Sequence, residues 1–428
     1  MVEFMVIVFF LLLLAGTPIA FAVGITAVLT FLRMDAPHLM TMVPQRFYSG
    51  VDLFALMAMP FFMLAGDIMN RIEITHKLVR LANALVGHIR GGLAHVNIMV
   101  SIFFAGLTGA AVSDTAALGT MLIPSMEREG YDRSFAAAVT AASSIIGPII
   151  PPSIIMVIYG SLMRVSIAGL FAAGIVPGVL VGLVLMVFAG IISKKRNYPI
   201  GEKRASLKEV GQSAKGALIP ILMPIIILGG ILGGVFTPTE AAAVAVLYAV
   251  IIGFFVYRNL KLKDIPDLLY EMVKNNGSVF IILASAAILG WILSMEQIPE
   301  LVGAAILNIS ENPYIVMLII NAILLILGMF MDMTAGIIIL GPILHPLAVS
   351  MGVHPLHFGI IMVVNLNIAL MTPPLGACLF VACGITKLSL EEISKEILPF
   401  ILAVLAALLL ITFVPAISLT VPRLLGLI

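Results

Sequence analysis

Long apolar runs separated by short polar interruptions fill this chain. Residues 221–257 and 397–422 are the clearest, and both exceed the ~20 residues that cross a bilayer as a helix. A membrane β-barrel would instead show alternating strands of about ten residues. The pattern therefore predicts an all-α, polytopic membrane protein. Helices are expected at 2–16, 18–32 and 52–70, followed by an amphipathic stretch at 72–90 and a helical hairpin at 94–128. A broken span then covers 132–163 and a full span 166–193. Beyond a polar segment at 194–216 the order recurs. Helices at 217–236 and 238–257 precede a basic stretch at 258–274 and a span at 276–294. An interfacial stretch (297–310), a hairpin (313–350), a broken span (356–386) and a last span (394–422) complete it. Residues 1–16 lack a basic start and a small-residue cleavage site, so they read as a first membrane helix rather than a signal peptide.

The recurrence has measurable spacing. Thr17-Pro18 and Thr237-Pro238 lie 220 residues apart, Asp114 and Asp332 218, and Pro151-Pro152 and Pro373-Pro374 222. The expected organisation is two repeats, 1–193 and 217–428, joined by a linker at 194–216. Charge then suggests how they face. If the linker is cytoplasmic, 19 of the 23 Lys and Arg lie on that side, all but Arg33, Arg46, Arg164 and Arg423. This bias follows the positive-inside rule, and it makes the first repeat start outside and the second inside. Inverted repeats of this kind are typical of secondary transporters with a central site at the repeat interface.

Composition removes other classes. The chain is 61% hydrophobic and 11% charged with a net charge of +1, so nothing favours a nucleic-acid partner. Cys378 and Cys383 lie in an apolar segment and read as small buried hydrophobes. His354 and His357 form an HxxH without a neighbouring carboxylate or Cys, and read as loop residues rather than metal ligands. No GxxxxGK[ST] phosphate loop occurs, so ATP does not drive this chain. A membrane-embedded enzyme would need a metal motif or a Ser/His/Asp set at one depth, and the sequence offers neither.

The candidate chemistry sits in the two hairpins and the two breaks. A hairpin tip frees carbonyls and N–H groups, and proline in a helix frees more by removing a donor and blocking the preceding turn. Such backbone is tolerated at membrane depth only where protein or a water-filled cavity covers it. Freed carbonyls with Ser and Thr hydroxyls can ligate a sodium ion, and the N-terminus of a half-helix favours an anion. Asp114 and Asp332 can bind a cation or cap the second helix of each hairpin. Ser143 and Ser144, Asn365 and Asn367 lie just ahead of the breaks and can contact a solute or hydrogen-bond between helices.

Gly16-Thr17-Pro18-Ile19-Ala20-Phe21, Met59-Pro60-Phe61-Phe62-Met63-Leu64-Ala65-Gly66, Gly147-Pro148-Ile149-Ile150-Pro151-Pro152-Ser153, Phe236-Thr237-Pro238-Thr239-Glu240-Ala241-Ala242 and Thr372-Pro373-Pro374-Leu375-Gly376 carry a resemblance that spans essentially the whole chain. Their order and spacing resemble the large membrane subunit of tripartite ATP-independent periplasmic (TRAP) transporters. The resemblance implies the ion-transporter-superfamily fold, with a scaffold and a mobile transport domain. It implies sodium-coupled, elevator-type import of a carboxylated solute across the bacterial inner membrane, with no cofactor besides the coupling ion. It also implies two partners, a periplasmic substrate-binding protein and a separate small four-helix membrane subunit. The sodium positions it implies are Ser113, Asp114 and Thr115 with Gly147, Pro148 and Pro151, and Asp332 and Thr334 with Met371, Thr372 and Pro373. In the second tip Met333 stands where the first has Thr115. Ser143, Ser144, Asn365, Asn367 and Gly376 are the expected solute contacts. Among the family's solutes, which include sialic acid, C4-dicarboxylates and other organic acids, the resemblance leans toward sialic acid. A self-sufficient anion carrier of the same fold is the alternative.

Overall fold

The computed structural model describes residues 2–34, 37–201 and 204–428. Regular structure among them is helical, apart from one isolated antiparallel bridge between Arg90 and Ile200. Helices α1 (Val2–Leu14) and α2 (Ile19–Arg33) are followed by α3 (Val43–Ser49), α4 (Ala58–Arg71) and α5 (Thr75–Val86). A hairpin of α6 (Gly92–Thr108) and α7 (Ala111–Arg128) comes next, then α8 (Arg133–Ser144), an irregular connection, α9 (Ile154–Met163) and the long α10 (Ile167–Lys195). In the second half α11 (Leu207–Leu232), α12 (Pro238–Ile251), α13 (Ile265–Met295) and α14 (Ile298–Leu307) precede the hairpin of α15 (Pro313–Gly328) and α16 (Met333–Ser350). The chain then forms α17 (Pro355–Leu370), α18 (Ala377–Thr386), α19 (Leu390–Phe413) and α20 (Ala416–Leu424). Six of these helices are long and apolar enough to cross a membrane, or seven if the bent segment Leu39–Ser49 plus Phe54–Arg71 is one span.

Local chemistry sets the ends. Thr237 with Glu240, Ser206 with Glu209 and Ser389 with Glu392 form capping boxes at the starts of α12, α11 and α19. Each satisfies orphan N–H groups and stabilises its helix by about 1 kcal/mol. Two elements differ from the sequence expectation. From Ile265 onward the basic stretch and the span after it are one helix, α13, because Glu271 and Lys274 do not interrupt a helix that extends beyond the apolar zone. Its start is tied to α4 by Arg71 and Asp264, 3.1 Å apart. The last span ends at Phe413, and α20 begins only after Pro415, whose missing N–H cannot continue the helix.

Packing repeats with the halves exchanged. Helix α12 lies on α4 and α13 on α2, α18 on α7 and α9 on α16, and α19 on α8 and α10 on α17. Swapping the two halves converts each pair into its mate. Each broken helix is therefore completed against the opposite half's hairpin.

The structure also corrects the register of the repeat. Helices α7 and α16 are both 18 residues long and start 222 residues apart, as do α8 and α17. The left-handed turns at Gly130 and Gly352 share that offset. At 222 the counterpart of Asp114 is Gly336, that of Asp332 is Ala110, and that of Pro124 is Pro346. Matching the two aspartates sets the hairpins one helical turn out of phase.

Where α10 ends, the linker is clasped to both halves. The Arg196 guanidinium donates to both Glu396 carboxylate oxygens at 2.7 and 3.0 Å and to Asp132 at 3.1 Å. The Tyr198 hydroxyl donates to Asp132 at 2.5 Å. Burial, with the Asp132 hydrogen bond adding to it, pushes the Tyr198 hydroxyl from its ordinary 10 up to about 12. A pKa raised on folding contributes stability that is complete below the unfolded value and lost as pH climbs through the folded one. Thermal stability of the wild type should therefore fall between pH 10 and 12. Tyr198→Phe should flatten that decline, and equal slopes would argue against the clasp.

Candidate functional site

The tip of the first hairpin is Gly109-Ala110, four residues ahead of the position expected from Asp114. Gly109 has φ +61°, a left-handed conformation that only glycine adopts at little cost. A Cβ there would meet Pro152 O at 2.7 Å, so the tip lies directly on the break between α8 and α9. Ser153 caps α9, accepting from Met156 N. Tip and break are thus in contact in the first half.

Asp114 is wholly buried in the first turns of α7, one turn beyond the cap position. One carboxylate oxygen accepts from the Thr108 hydroxyl at the end of α6. The other, Oδ2, has no hydrogen-bond partner among the described residues. It lies where the side chain of Gly147 would otherwise be, since a Cβ on Gly147 would overlap it. No Lys or Arg among the described residues pairs with it. A buried carboxylate without a counter-charge demands a cation or a proton. The buried Thr115 hydroxyl donates to Ala111 O at 2.9 Å, and Cys378 of α18 sits beside both Thr115 and Asp114. Ser113 is half-buried on the same turn, and Pro148 and Pro151 are buried in the irregular connection.

The second device differs. Asp332 is exposed and is the cap of α16, its carboxylate accepting from Thr334 N at 2.8 Å. Met371 ends α17, the Thr372 hydroxyl donates to Ile368 O at 2.7 Å, and Thr372 O accepts from Gly376 N at 3.2 Å. Pro373 is half-buried, and Pro374 and Leu375 are exposed. Both double prolines contain a cis bond. Gly336, the counterpart of Asp114, faces Leu366 rather than a polar group.

The residues just ahead of the breaks hold helices together. Ser143 accepts from Ser101 at 2.9 Å and donates to Asn97 at 3.1 Å, while Asn97 donates to Thr140 at 2.7 Å. The counterpart of Ser143 is Asn365, which donates to Asn321 at 2.8 Å. Each pair bridges a hairpin arm to the first half of a broken helix. Ser144 donates to Thr140 O and Asn367 to Val363 O. The remaining side-chain oxygens of Asn365 and Asn367 are buried without partners among the described residues, two acceptors beside the second break. His357, expected in a loop, lies in α17, with Ser418 Oγ 2.6 Å from one ring nitrogen and Thr412 O 3.2 Å from the other. His354 caps the same helix.

The sequence reading overlooked Thr108 and the approach of Cys378 to Thr115. Thr108 lies six residues before Asp114, and its hydroxyl could have been paired with the carboxylate once the turn was placed at Gly109. The contact from Cys378 comes from the opposite half, and no spacing reveals it.

Two interlocked hairpins, two broken helices and a buried carboxylate at one tip define a polytopic membrane protein with a transporter's fold. The antimetabolite efflux pump MtrF of Neisseria gonorrhoeae has a similar fold (TM-score 0.62, 13% identity, 89% of this chain and 85% of MtrF covered). Residues 6–417 match the family described as tripartite ATP-independent periplasmic transporter, DctM component, and the chain belongs to that family. It is 40% identical over 413 residues to the sialic acid TRAP transporter large permease protein SiaM of Vibrio cholerae, covering 96% of both chains. It is 39% identical over 405 residues to the C4-dicarboxylate TRAP transporter large permease protein DctM of Pseudomonas aeruginosa, covering 95% of this chain and 94% of that one. The protein is a multi-pass large permease subunit.

Proposed function

We propose that this permease couples the inward movement of sodium to import of an organic acid across a bacterial inner membrane. The solute is handed over by a periplasmic binding protein, and a small four-helix membrane subunit completes the complex. Sialic acid is the first solute to test and C4-dicarboxylates the second, since relatives named for each are about equally similar. One sodium ion binds at Asp114 Oδ2, between the first tip and Gly147. A second lies by Thr334, the carbonyls of Met371–Pro373 and the free acceptors of Asn365 and Asn367. The hairpins and broken helices then move together as an elevator against α1–α4 and α11–α13. The observation that carries this reading is the buried, half-unpartnered Asp114 carboxylate aimed at a broken helix.

The test is uptake into proteoliposomes containing the permease with both partner proteins. Accumulation of labelled sialic acid or succinate should appear with an inward sodium gradient and collapse with a sodium ionophore. Accumulation that survives the ionophore would sink the coupling, and full uptake by this chain alone would remove the binding protein from the scheme.

A further inference from the structure

A cleft of about 380 Å³ opens between α13 on one side and α9 with α16 on the other, lined by Arg164, His345, Pro342, Ala286 and Gly290 among others. Arg164 ends α9 in a left-handed conformation (φ 56°), is exposed, and makes no ion pair among the described residues. The Tyr159 hydroxyl donates to Pro355 O at 3.4 Å and lies 2.6 Å from His345 Nδ1. His345 Nε2 has no hydrogen-bond partner among the described residues. The cleft thus offers a guanidinium suited to a carboxylate, beside an imidazole nitrogen without a partner.

The exchanged half supplies a comparison. A second cleft, also about 380 Å³, lies between α4 and α5 on one side and α7 on the other, lined by Asn70, Glu73, Thr75, His76, Thr120 and Met121 among others. The 222-residue register carries Thr120 onto Pro342, so the two clefts share one matched position on α7 and α16. Lys387 ends α18 as Arg164 ends α9, also left-handed (φ 61°), yet it does not line the second cleft. The lining of that cleft holds no Lys or Arg and includes Glu73. Two clefts of equal volume, each against one hairpin, thus carry opposite charge in their linings.

We infer that the Arg164–His345 cleft is an outward docking site for the carboxylate of the solute, occupied before the solute reaches the hairpins. This rests on the proposed import of an organic acid and on the charge-based orientation, which puts Arg164 on the side opposite the basic linker. The acidic cleft faces the cytoplasm and does not retain the anion.

The test uses the complete transport complex in proteoliposomes, with N-acetylneuraminate and succinate as probes. Arg164→Gln should raise KM about tenfold by removing attraction and one charged donor. Maximal rate and sodium half-saturation should stay within about twofold, which separates docking from a positioning role. Arg164→Lys should recover most of the loss, and Glu73→Gln should leave KM unchanged. An unchanged KM in Arg164→Gln, or a lower maximal rate at constant KM with a normal elution profile, would overturn the site. Sodium-independent uptake by the wild type would defeat the coupling but leave the KM comparison standing. If neither acid is transported, thermal stabilisation of the purified complex by millimolar acid is read instead. No stabilisation of the wild type, or equal stabilisation of Arg164→Gln, then overturns the site.

Discussion

Asp114→Asn is expected to abolish sodium-dependent uptake. The carboxylate is fully buried, and the structure gives Oδ2 no neighbouring hydrogen-bond donor or basic side chain. Removing one member of a buried charge pair costs about 3–5 kcal/mol, so sodium affinity should fall by at least about 100-fold. The informative comparison is Asp332. Its carboxylate caps α16 through Thr334 N, and asparagine caps a helix as well as aspartate does. Asp332→Asn should therefore leave uptake within about twofold of wild type, whereas Asp332→Ala should lose the roughly 1 kcal/mol of a cap. Initial rates of uptake against sodium concentration decide it. Comparable damage from the two asparagine variants would return both residues to one role.

Gly109→Ala should be nearly as severe, for a backbone reason. The left-handed conformation costs a non-glycine residue about 1–2 kcal/mol, and the new methyl would meet Pro152 O at 2.7 Å. The tip must lift from the break, which spreads the oxygens around Asp114. Uptake should drop about tenfold or more, because the strain and the collision fall together at the contact between tip and break. Gly130 supplies the control, since its φ is +90° but a Cβ there meets nothing within 4 Å. Gly130→Ala carries the strain without the collision, so it should lower thermal stability and leave the sodium dependence intact. Equal loss of uptake in both variants would assign the effect to strain rather than to the contact between tip and break.

The sequence announced the fold through features written locally. Apolar run length, Thr-Pro helix starts and double prolines are all properties of neighbouring residues, and they placed the hairpins and breaks within a few positions. The register escaped because α16 contains prolines at 342 and 346, one helical turn apart. Pro124 can match either, and pairing the two aspartates selected the wrong one. For Ser143 and Asn365 the sequence left a solute contact and a hydrogen bond between helices both open, because their partners Ser101 and Asn321 lie 42 and 44 positions away. Only the folded arms bring those partners into view. For Asp114 the sequence could pose the choice between cap and ligand, but burial and an unpartnered oxygen are properties of the folded environment.

The exchanged packing has a consequence for how the chain enters the bilayer. Helices α7 and α9 are synthesised well before α18 and α16, the helices that cover them. Until the second half arrives, the first holds Asp114 and its broken helix with one flank open. Nascent chains must therefore shelter these groups with water, lipid headgroups or the insertion machinery while more than two hundred further residues are made. Assembly is sequential in synthesis but simultaneous in burial, and neither half can finish its own interior alone.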